Sequence, residues 1–318
     1  MNQHKHATYA HPLVALGNWL RTDGYHFVTP TPLTHARVNA RDPLEARNLR
    51  DVFGWSRHFR ANLLPASVLS WLEQAGMVVN SGGLLLSKVR FSTLGDQLYA
   101  HSAYPTTDAD AVFFGPDTYR FAGLLENELA LRPLAPRARI LDVGCGAGPG
   151  GISAALASIG SPSLVLADIN PKALEFAKVN AALAAVDGVE FLESDLFTAV
   201  SGDFDLIVSN PPYLVDAAAR TYRHGGGELG SGLSERILQQ GMAQLAPGGR
   251  LVLYTGAAIV DGEDPFFQRV QSLLSGSAWP FRYRELDPDV FGEELDTPAY
   301  AHVERIASVA LAVQRPDA

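Results

Sequence analysis

Cysteine and long apolar runs are scarce in this chain of 318 residues. The single cysteine, Cys145, excludes an internal disulfide and favours a reducing compartment. No stretch approaches the roughly 20 apolar residues of a transmembrane helix, and the polar segment 1–11 is not followed by the apolar region of a secretory signal. The sequence therefore predicts a cytoplasmic protein that does not cross a membrane.

Excess positive charge is also absent. Residues 1–120 hold 11 basic and 9 acidic side chains, residues 121–318 hold 14 and 25, and the net charge is −9. An acidic body is unsuited to strong non-specific binding of nucleic acid. The mildly basic first part could contact an RNA or an acidic protein, but a charge difference this small more often marks a solvated face. Clusters of metal ligands are lacking too. Three histidines are closely spaced, His4, His6 and His11, but they lie at the N-terminus, and we predict no metal site.

Alternating strands and helices dominate the chain from Arg139 onward. Apolar runs bounded by turn residues predict seven strands, at 139–143, 163–167, 189–192, 204–208, 250–255, 281–286 and 306–313. Helical patterns occupy most of the gaps between these runs. This alternation predicts an α/β fold with a doubly wound, mostly parallel seven-stranded sheet, in which ligands bind at the carboxyl ends of the strands.

The first third of the chain has a different pattern. Helices are predicted at 11–23, from Pro43 toward Phe53 and at 65–75, and they are followed by a hairpin at 77–91 and a further strand at 97–102. We predict a smaller, winged-helix-like α+β domain over residues 1–103, which either recognises the substrate or only caps its neighbour. The second domain then spans residues 104–318, and its first helix is expected to have Asp117 or Thr118 as N-cap.

A polar segment, Ser209-Asn210-Pro211-Pro212-Tyr213, follows the predicted strand at 204–208. Proline cannot donate to a sheet ladder, so the strand ends here, and Pro212 keeps Pro211 extended with its carbonyl free to face outward. Asn210 adds a side-chain carbonyl and Tyr213 a flat ring. Two acceptors and a ring suit a planar amino group, so we predict catalytic roles for Asn210, Pro211, Pro212 and Tyr213. The alternative is an ordinary turn.

A glycine-rich loop, residues 144–151, follows the predicted strand at 139–143. Its bare backbone lets a ligand come close, and the helix behind it offers unpaired N–H groups. Asp168, at the end of the next strand, is placed to bind both hydroxyls of a ribose, and Asp195 an adenine amino group. The loop also fits the dinucleotide fingerprint, so these residues alone leave a nicotinamide-dependent oxidoreductase open.

Two motifs separate these alternatives. Leu141-Asp142-Val143-Gly144-Cys145-Gly146-Ala147-Gly148 resembles the first motif of class I S-adenosylmethionine-dependent methyltransferases. Asn210-Pro211-Pro212-Tyr213 resembles the NPPY signature of N-methyltransferases that act on planar nitrogens. The resemblance covers roughly residues 112–260 and implies S-adenosyl-L-methionine as the cofactor. The residues that we expect at this cofactor are Thr118, Asp142, Gly144, Cys145, Gly146, Gly148, Asp168, Ile169, Asp195, Leu196 and Asn210.

Two further segments resemble particular branches of that family. Gly115-Pro116-Asp117-Thr118 and the glycine-rich stretch 226–233 are similar to segments of release-factor glutamine methyltransferases and their adenine-N6 relatives. The second stretch is two residues longer here, and rRNA guanine-N2 methyltransferases typically have Phe in place of Tyr213. The acceptor therefore stays open among glutamine, adenine and guanine in a macromolecule. A nicotinamide oxidoreductase and a non-catalytic binding module are the weaker alternatives.

Overall fold

The computed structural model describes residues 10–41, 45–218 and 220–317. Helices and two small hairpins form the part up to residue 103, which we call the head, and a seven-stranded sheet with its helices forms the remainder. No helix within the described ranges has both the length and the apolar content that a bilayer crossing requires.

The head is built from short elements. They are α1 (Pro12–Thr22), α2 (Pro32–Asn39), α3 (Leu49–Phe53), a 3₁₀ turn (Ala61–Leu63), α4 (Ala66–Gln74), β1 (Val78–Ser81), β2 (Leu84–Ser87), β3 (Val89–Leu94) and β4 (Gln97–Ser102). β1 pairs with β2, and β3 pairs with β4, as two separate antiparallel sheets. Proline at the first position of α1 and α2 presets the helical φ where no N–H partner is needed.

The remainder alternates strands and helices. Its elements are α5 (Pro116–Leu131), β5 (Arg139–Val143), α6 (Pro149–Leu156), β6 (Ser163–Asp168), α7 (Pro171–Leu183), β7 (Val189–Glu193), β8 (Phe204–Ser209), α8 (Gly232–Ala243), β9 (Leu245–Ile259), α9 (Pro265–Leu274), β10 (Phe281–Asp287), 3₁₀ turns at Gly292–Asp296 and Pro298–Tyr300, and β11 (Arg305–Gln314). The helix α5 begins at Pro116 with Gly115 as its N-cap, so the expected cap at Asp117 or Thr118 was wrong.

The seven strands form one sheet in the order β10-β11-β9-β8-β5-β6-β7. All neighbouring pairs from β9 to β7 are parallel, whereas β11 runs antiparallel to both of its neighbours. The chain winds outward from β5 in both directions, because β6 lies on one side of it and β8 on the other. This confirms the predicted doubly wound, mostly parallel sheet and places the crevice for a ligand at the carboxyl ends of β5 and β8.

Both faces of the sheet are covered by apolar cores. One core joins α5, α6 and α7 to the sheet, with Phe121 and Ile152 as central members, and the other joins α8 and α9, with Ile237 and Val270. A third core fills the head and extends into α7, whose Phe176 belongs to it. The head therefore packs directly on a helix that also covers the sheet.

Candidate active site

A cavity of about 450 Å³ lies at the carboxyl ends of the parallel strands. The glycine loop after β5, the acidic ends of β6 and β7 and the segment after β8 all contribute to its wall. Of the residues expected from the sequence, those that line it are Thr118, Asp142, Gly144, Cys145, Gly146, Asp168, Ile169, Asp195, Leu196, Asn210, Pro211, Pro212 and Tyr213. Gly148 is outside the lining. It is the N-cap of α6, with φ +83°, and a Cβ there would approach Ile152 and Leu166.

The glycine loop is fixed by hydrogen bonds of its backbone amides, and its glycines leave space for a ligand. The amides of Gly144 and Cys145 both donate to the Ala167 carbonyl, at 2.8 and 3.0 Å, which ties the loop to the end of β6. Gly144 and Gly146 have φ of +66° and +55°, a region that favours glycine. A Cβ at either position would meet no described atom within 4 Å, so the bare backbone leaves room in front of the loop. Burial raises the pKa of the Cys145 thiol, which suits a packing residue and not a nucleophile.

Asp142 lies beneath this loop and is 2% exposed. Its Oδ2 accepts a hydrogen bond of 2.7 Å from the amide of Gly151, in the first turn of α6. Burial raises the pKa of Asp142 to about 7, and the nearby Asp168 adds to this shift. The carboxyl therefore sits at a point where small changes in its surroundings alter its charge near neutral pH.

Asp168 ends β6 and supports the turn that follows. Its Oδ2 accepts from the amide of Gly146 and its Oδ1 from that of Asn170, both at 2.8 Å. Because a carboxylate oxygen has two lone pairs, each can still accept a hydrogen bond from a ligand in the cavity. The neighbouring Ile169 is 52% exposed. Asp195 lies on the rim, where it pairs with the half-exposed Arg236 at 3.5 Å.

The segment after β8 is anchored against the glycine loop. The hydroxyl of Ser209, which is fully buried, donates to the carbonyl of Val143 at 2.7 Å. This bond joins the ends of β8 and β5 immediately before Asn210 and Gly144. Among the described residues, neither the Asn210 side chain nor the Pro211 carbonyl has a hydrogen-bond partner. Two acceptors are thus left available at the cavity wall.

Tyr213 is fixed from below by an acidic residue of α5. Its hydroxyl donates to Oδ2 of Asp117, while the hydroxyl of Tyr254 donates to Oδ1 of the same carboxylate at 2.8 Å. Arg120 completes this arrangement with an ion pair of 3.2 Å to Asp117. Burial raises the pKa of Asp117, and the hydrogen bonds from the two tyrosines oppose that shift. The ring of Tyr213 is consequently held in one orientation beside Asn210.

Several cavity residues were missed by the sequence analysis. Phe291, between β10 and β11, lies edge-on to Tyr213 with ring centroids 5.8 Å apart. It has φ +55°, which is unusual for an aromatic residue. Phe113 and Tyr222 also line the cavity and stack with ring centroids 6.3 Å apart, and Tyr222 donates to the Thr106 carbonyl at 2.7 Å. Asp117 lies inside a quoted motif, so its role could have been found, whereas Phe291 has no local signal.

Metal ligation finds no support within the ranges that the structure describes. No group of three or more His, Cys, Asp or Glu side chains there is arranged to hold an ion. His4 and His6 lie outside those ranges. His224 lines the cavity, but its Nδ1 already accepts from the amide of Asp216 at 3.2 Å.

Comparison with known families agrees with this geometry. Residues 122–259 match the family model of the methyltransferase small domain. That range begins in α5 and ends with β9, and it contains the glycine loop, both acidic strand ends and the segment Asn210–Tyr213. The resemblance to methyltransferases that was inferred from the motifs is therefore confirmed over this range.

Curated relatives match the same part of the chain. A release factor glutamine methyltransferase of Deinococcus radiodurans is 37% identical over 158 residues, which cover 46% of this chain and 55% of the relative. A ribosomal RNA small subunit methyltransferase C of Salmonella arizonae is 35% identical over 135 residues, covering 41% of this chain and 35% of the relative. The chain thus spans about half or less of these relatives.

Among solved structures, the SAM-dependent methyltransferase from Agrobacterium tumefaciens aligns with 73% of this chain and 71% of its own. The two share 15% sequence identity, and the TM-score is 0.49.

Proposed function

We propose that this chain is a methyltransferase that moves a methyl group from S-adenosyl-L-methionine to a planar nitrogen. The observation that carries the proposal is the meeting of two free acceptors, the Asn210 side chain and the Pro211 carbonyl, with the glycine loop in one cavity. A dinucleotide-dependent oxidoreductase would need the glycine loop but not these acceptors. The family match over residues 122–259 supports the same choice.

The cavity residues fit such a cofactor. Gly144 and Gly146 leave room for close approach of the ligand, as shown by the open space where a Cβ would stand. Asp168 would accept from the ribose hydroxyls with its remaining lone pairs, and Asp195 from the adenine amino group. The exposed side chain of Ile169 would cover one face of the adenine. When bound, the cofactor supplies an electrophilic methyl group on a positively charged sulfur.

The acceptor nitrogen is positioned by the segment after β8. Asn210 and the Pro211 carbonyl would each accept one N–H of an amide or exocyclic amine, and this directs the nitrogen lone pair into the cavity. Tyr213, locked by Asp117, would lie against the plane of the acceptor, with Pro212 keeping the segment rigid. Positioning of this kind lowers a barrier by roughly 7–11 kcal/mol. The chain needs no dedicated base, because an alkylated nitrogen loses its proton readily to water.

The acceptor that we propose is a protein glutamine or a nucleic-acid base in a macromolecule. One relative is named for glutamine and another for ribosomal RNA, and both are matched over partial lengths. The head, residues 1–103, is proposed to recognise that macromolecule. We propose a cytoplasmic location as well, since the single cysteine favours a reducing compartment.

Substitution of Asn210 by alanine tests the catalytic role. We expect Asn210→Ala to lower turnover about 100-fold, the scale of losing one preorganised polar contact, while the affinity for S-adenosyl-L-methionine is retained. Asp168→Ala should show the reverse, with a clear loss of cofactor affinity. Turnover is measured as transfer of labelled methyl groups to the protein and RNA fractions of a lysate from cells that lack this protein, and affinity by isothermal titration.

Gln271→Ala is the matched control, because this amide side chain is exposed on α9, outside the head, and does not line the cavity. It should leave both quantities unchanged. Unaltered turnover in Asn210→Ala would remove this residue from the chemistry. Failure of the unmodified protein to bind the cofactor would reject the proposed function as a whole.

A further inference from the structure

The head buries an arginine whose charge has no counter-charge. Arg90 lies on β3 opposite His101 of β4 and is 3% exposed. Within the described part of the chain, it forms no ion pair with a carboxylate. Burial lowers the pKa of Arg90 to about 10. An isolated charge in such a place is costly unless something compensates it.

Two nitrogens of this guanidinium have no partner at all. The Nε and Nη2 atoms of Arg90 are both inaccessible and make no hydrogen bond to any described residue. These two nitrogens form one edge of the planar group, and their N–H bonds point in the same direction. That edge is the one with which arginine binds two oxygens of a carboxylate or phosphate side by side.

In the other buried arginines of the described chain, at least one of the nitrogens Nε and Nη2 donates a hydrogen bond. Arg57 donates from Nε to Asn39 at 2.9 Å and from Nη1 to Asp51 at 3.1 Å. Arg250 lacks a partner at Nε, but its Nη2 donates to the carbonyl of Arg132. Arg90 is therefore distinct in leaving a complete donor edge free.

Aromatic rings hold the plane of the Arg90 guanidinium in place. The ring centroid of Phe27 lies 5.7 Å from its Cζ atom, and that of Tyr104 lies 5.8 Å away. His35 packs on Tyr104 with centroids 4.4 Å apart, and burial lowers the pKa of His35 to about 4, so this neighbour is neutral near pH 7. The rings favour the cation through their faces but supply no acceptor to its edge.

We propose that the free edge of Arg90 is the anchor of an oxyanion site in the head, which takes a carboxylate or a phosphate group. Two oxygens of the ligand accept from Nε and Nη2, and the anion neutralises the buried charge. Because Nε and Nη2 are inaccessible, a ligand reaches them only when a neighbouring ring moves aside, and we expect Tyr104 to move, since it is half-buried whereas Phe27 is 1% exposed. Arg90 is not among the residues that line the cofactor cavity, and the site does not depend on the proposed methyl transfer.

Thermal unfolding of the full chain with simple anions tests this site. Inorganic phosphate and acetate are used as probes, each at about 50 mM and compared with chloride at equal ionic strength. We expect the unmodified protein to gain about 1–3 °C in Tm with at least one of the probes. A response to phosphate alone indicates a phosphate ester as the natural group, and a response to acetate alone indicates a carboxylate.

Three variants assign the response. Arg90→Met removes the charge at similar length, so its Tm in chloride should equal or exceed that of the unmodified protein, and the gain with anions should disappear. Arg90→Lys keeps the charge without the two-nitrogen edge and should also lose the gain; it serves if Arg90→Met does not fold. Arg57→Met should lower Tm yet retain the gain. The proposal is overturned if the unmodified protein responds to neither anion, or if the gain persists in both Arg90 variants.

Discussion

Among single residues, Asp142 is expected to link the stability of the protein to pH near neutrality. Its carboxyl has an ordinary pKa of 3.8 and a folded-state pKa of about 7, because burial beneath the glycine loop disfavours the charged form. The folded protein therefore binds more protons than the unfolded chain between about pH 4 and 7. The contribution of this group to stability falls as pH rises through that window.

Replacement of Asp142 by asparagine should remove this dependence. Asparagine retains an oxygen that accepts from the Gly151 amide but carries no charge at any pH. We expect the stability of Asp142→Asn relative to the unmodified protein to improve by about 1–2 kcal/mol between pH 5.5 and 8.5. Urea unfolding at the two pH values measures this difference. A constant difference would show that the carboxyl does not titrate in that range.

The sequence predicted those residues of the candidate site that carry polar side chains at the ends of predicted strands. Asn210 and Asp168 stand at strand ends, and strand ends of a parallel sheet meet at one edge, so a pattern along the chain translated into proximity. Phe291 enters the same cavity from the connection between two later strands. The position of Phe291 depends on how that connection folds back over the sheet, and the hydrophobic pattern of the sequence does not predict such a fold.

Among the elements, β9 packs against the ring of Tyr213 so closely that the strand has room only for glycine at position 256. A Cβ at Gly256 would lie 2.2 Å from Cδ2 of Tyr213. Gly256→Ala should therefore displace the tyrosine ring and weaken its bond to Asp117. We expect a loss of about 1–3 kcal/mol in stability and at least a 10-fold loss in turnover, with cofactor affinity retained. Methyl-transfer assays and titration with S-adenosyl-L-methionine separate the two effects.

Gly123→Ala is the control for that strand substitution. Gly123 lies in α5, and a Cβ there meets nothing within 4 Å. Alanine should stabilise the helix by about 0.5–1 kcal/mol without altering turnover. If Gly256→Ala were as active as Gly123→Ala, the orientation of Tyr213 would be irrelevant to the reaction.

The predicted elements were most accurate where a proline or glycine marks their ends. The helix α7 fills one of the gaps between predicted strands and begins at Pro171, and the side chain of Asn170 caps it by accepting from the amide of Lys172. The helix α2 was missed, because its polar sequence carries no apolar stripe and the surrounding residues resemble a loop. The strand β9 begins at Leu245 and runs through Pro247, Gly248 and Gly249, whereas the predicted strand begins only at residue 250.

At the scale of the whole molecule, the head and the sheet are joined by shared packing and by hydrogen bonds. Asn180 of α7 is fully buried and bonds to both backbone groups of Ala100 in β4 and to the carbonyl of Ala147 in the glycine loop, at 2.7–2.9 Å. Gly17 lets α1 approach α7 closely, since a Cβ there would lie 2.8 Å from Leu183. The domain boundary near residue 104 remains a prediction, but the apolar core of the head includes residues on both sides of it.

This continuity leads us to expect one cooperative unfolding transition for the full chain in calorimetry. Phe53→Ala in the head and Leu311→Ala in β11 remove buried side chains from opposite parts of the molecule, at a cost of about 3–5 and 2–5 kcal/mol. Because the head core includes α7, both variants should shift the same single transition to lower temperature. Two transitions, with Phe53→Ala moving only one of them, would mean that the head unfolds on its own and that contacts through Asn180 and Phe176 are too weak to couple it to the sheet.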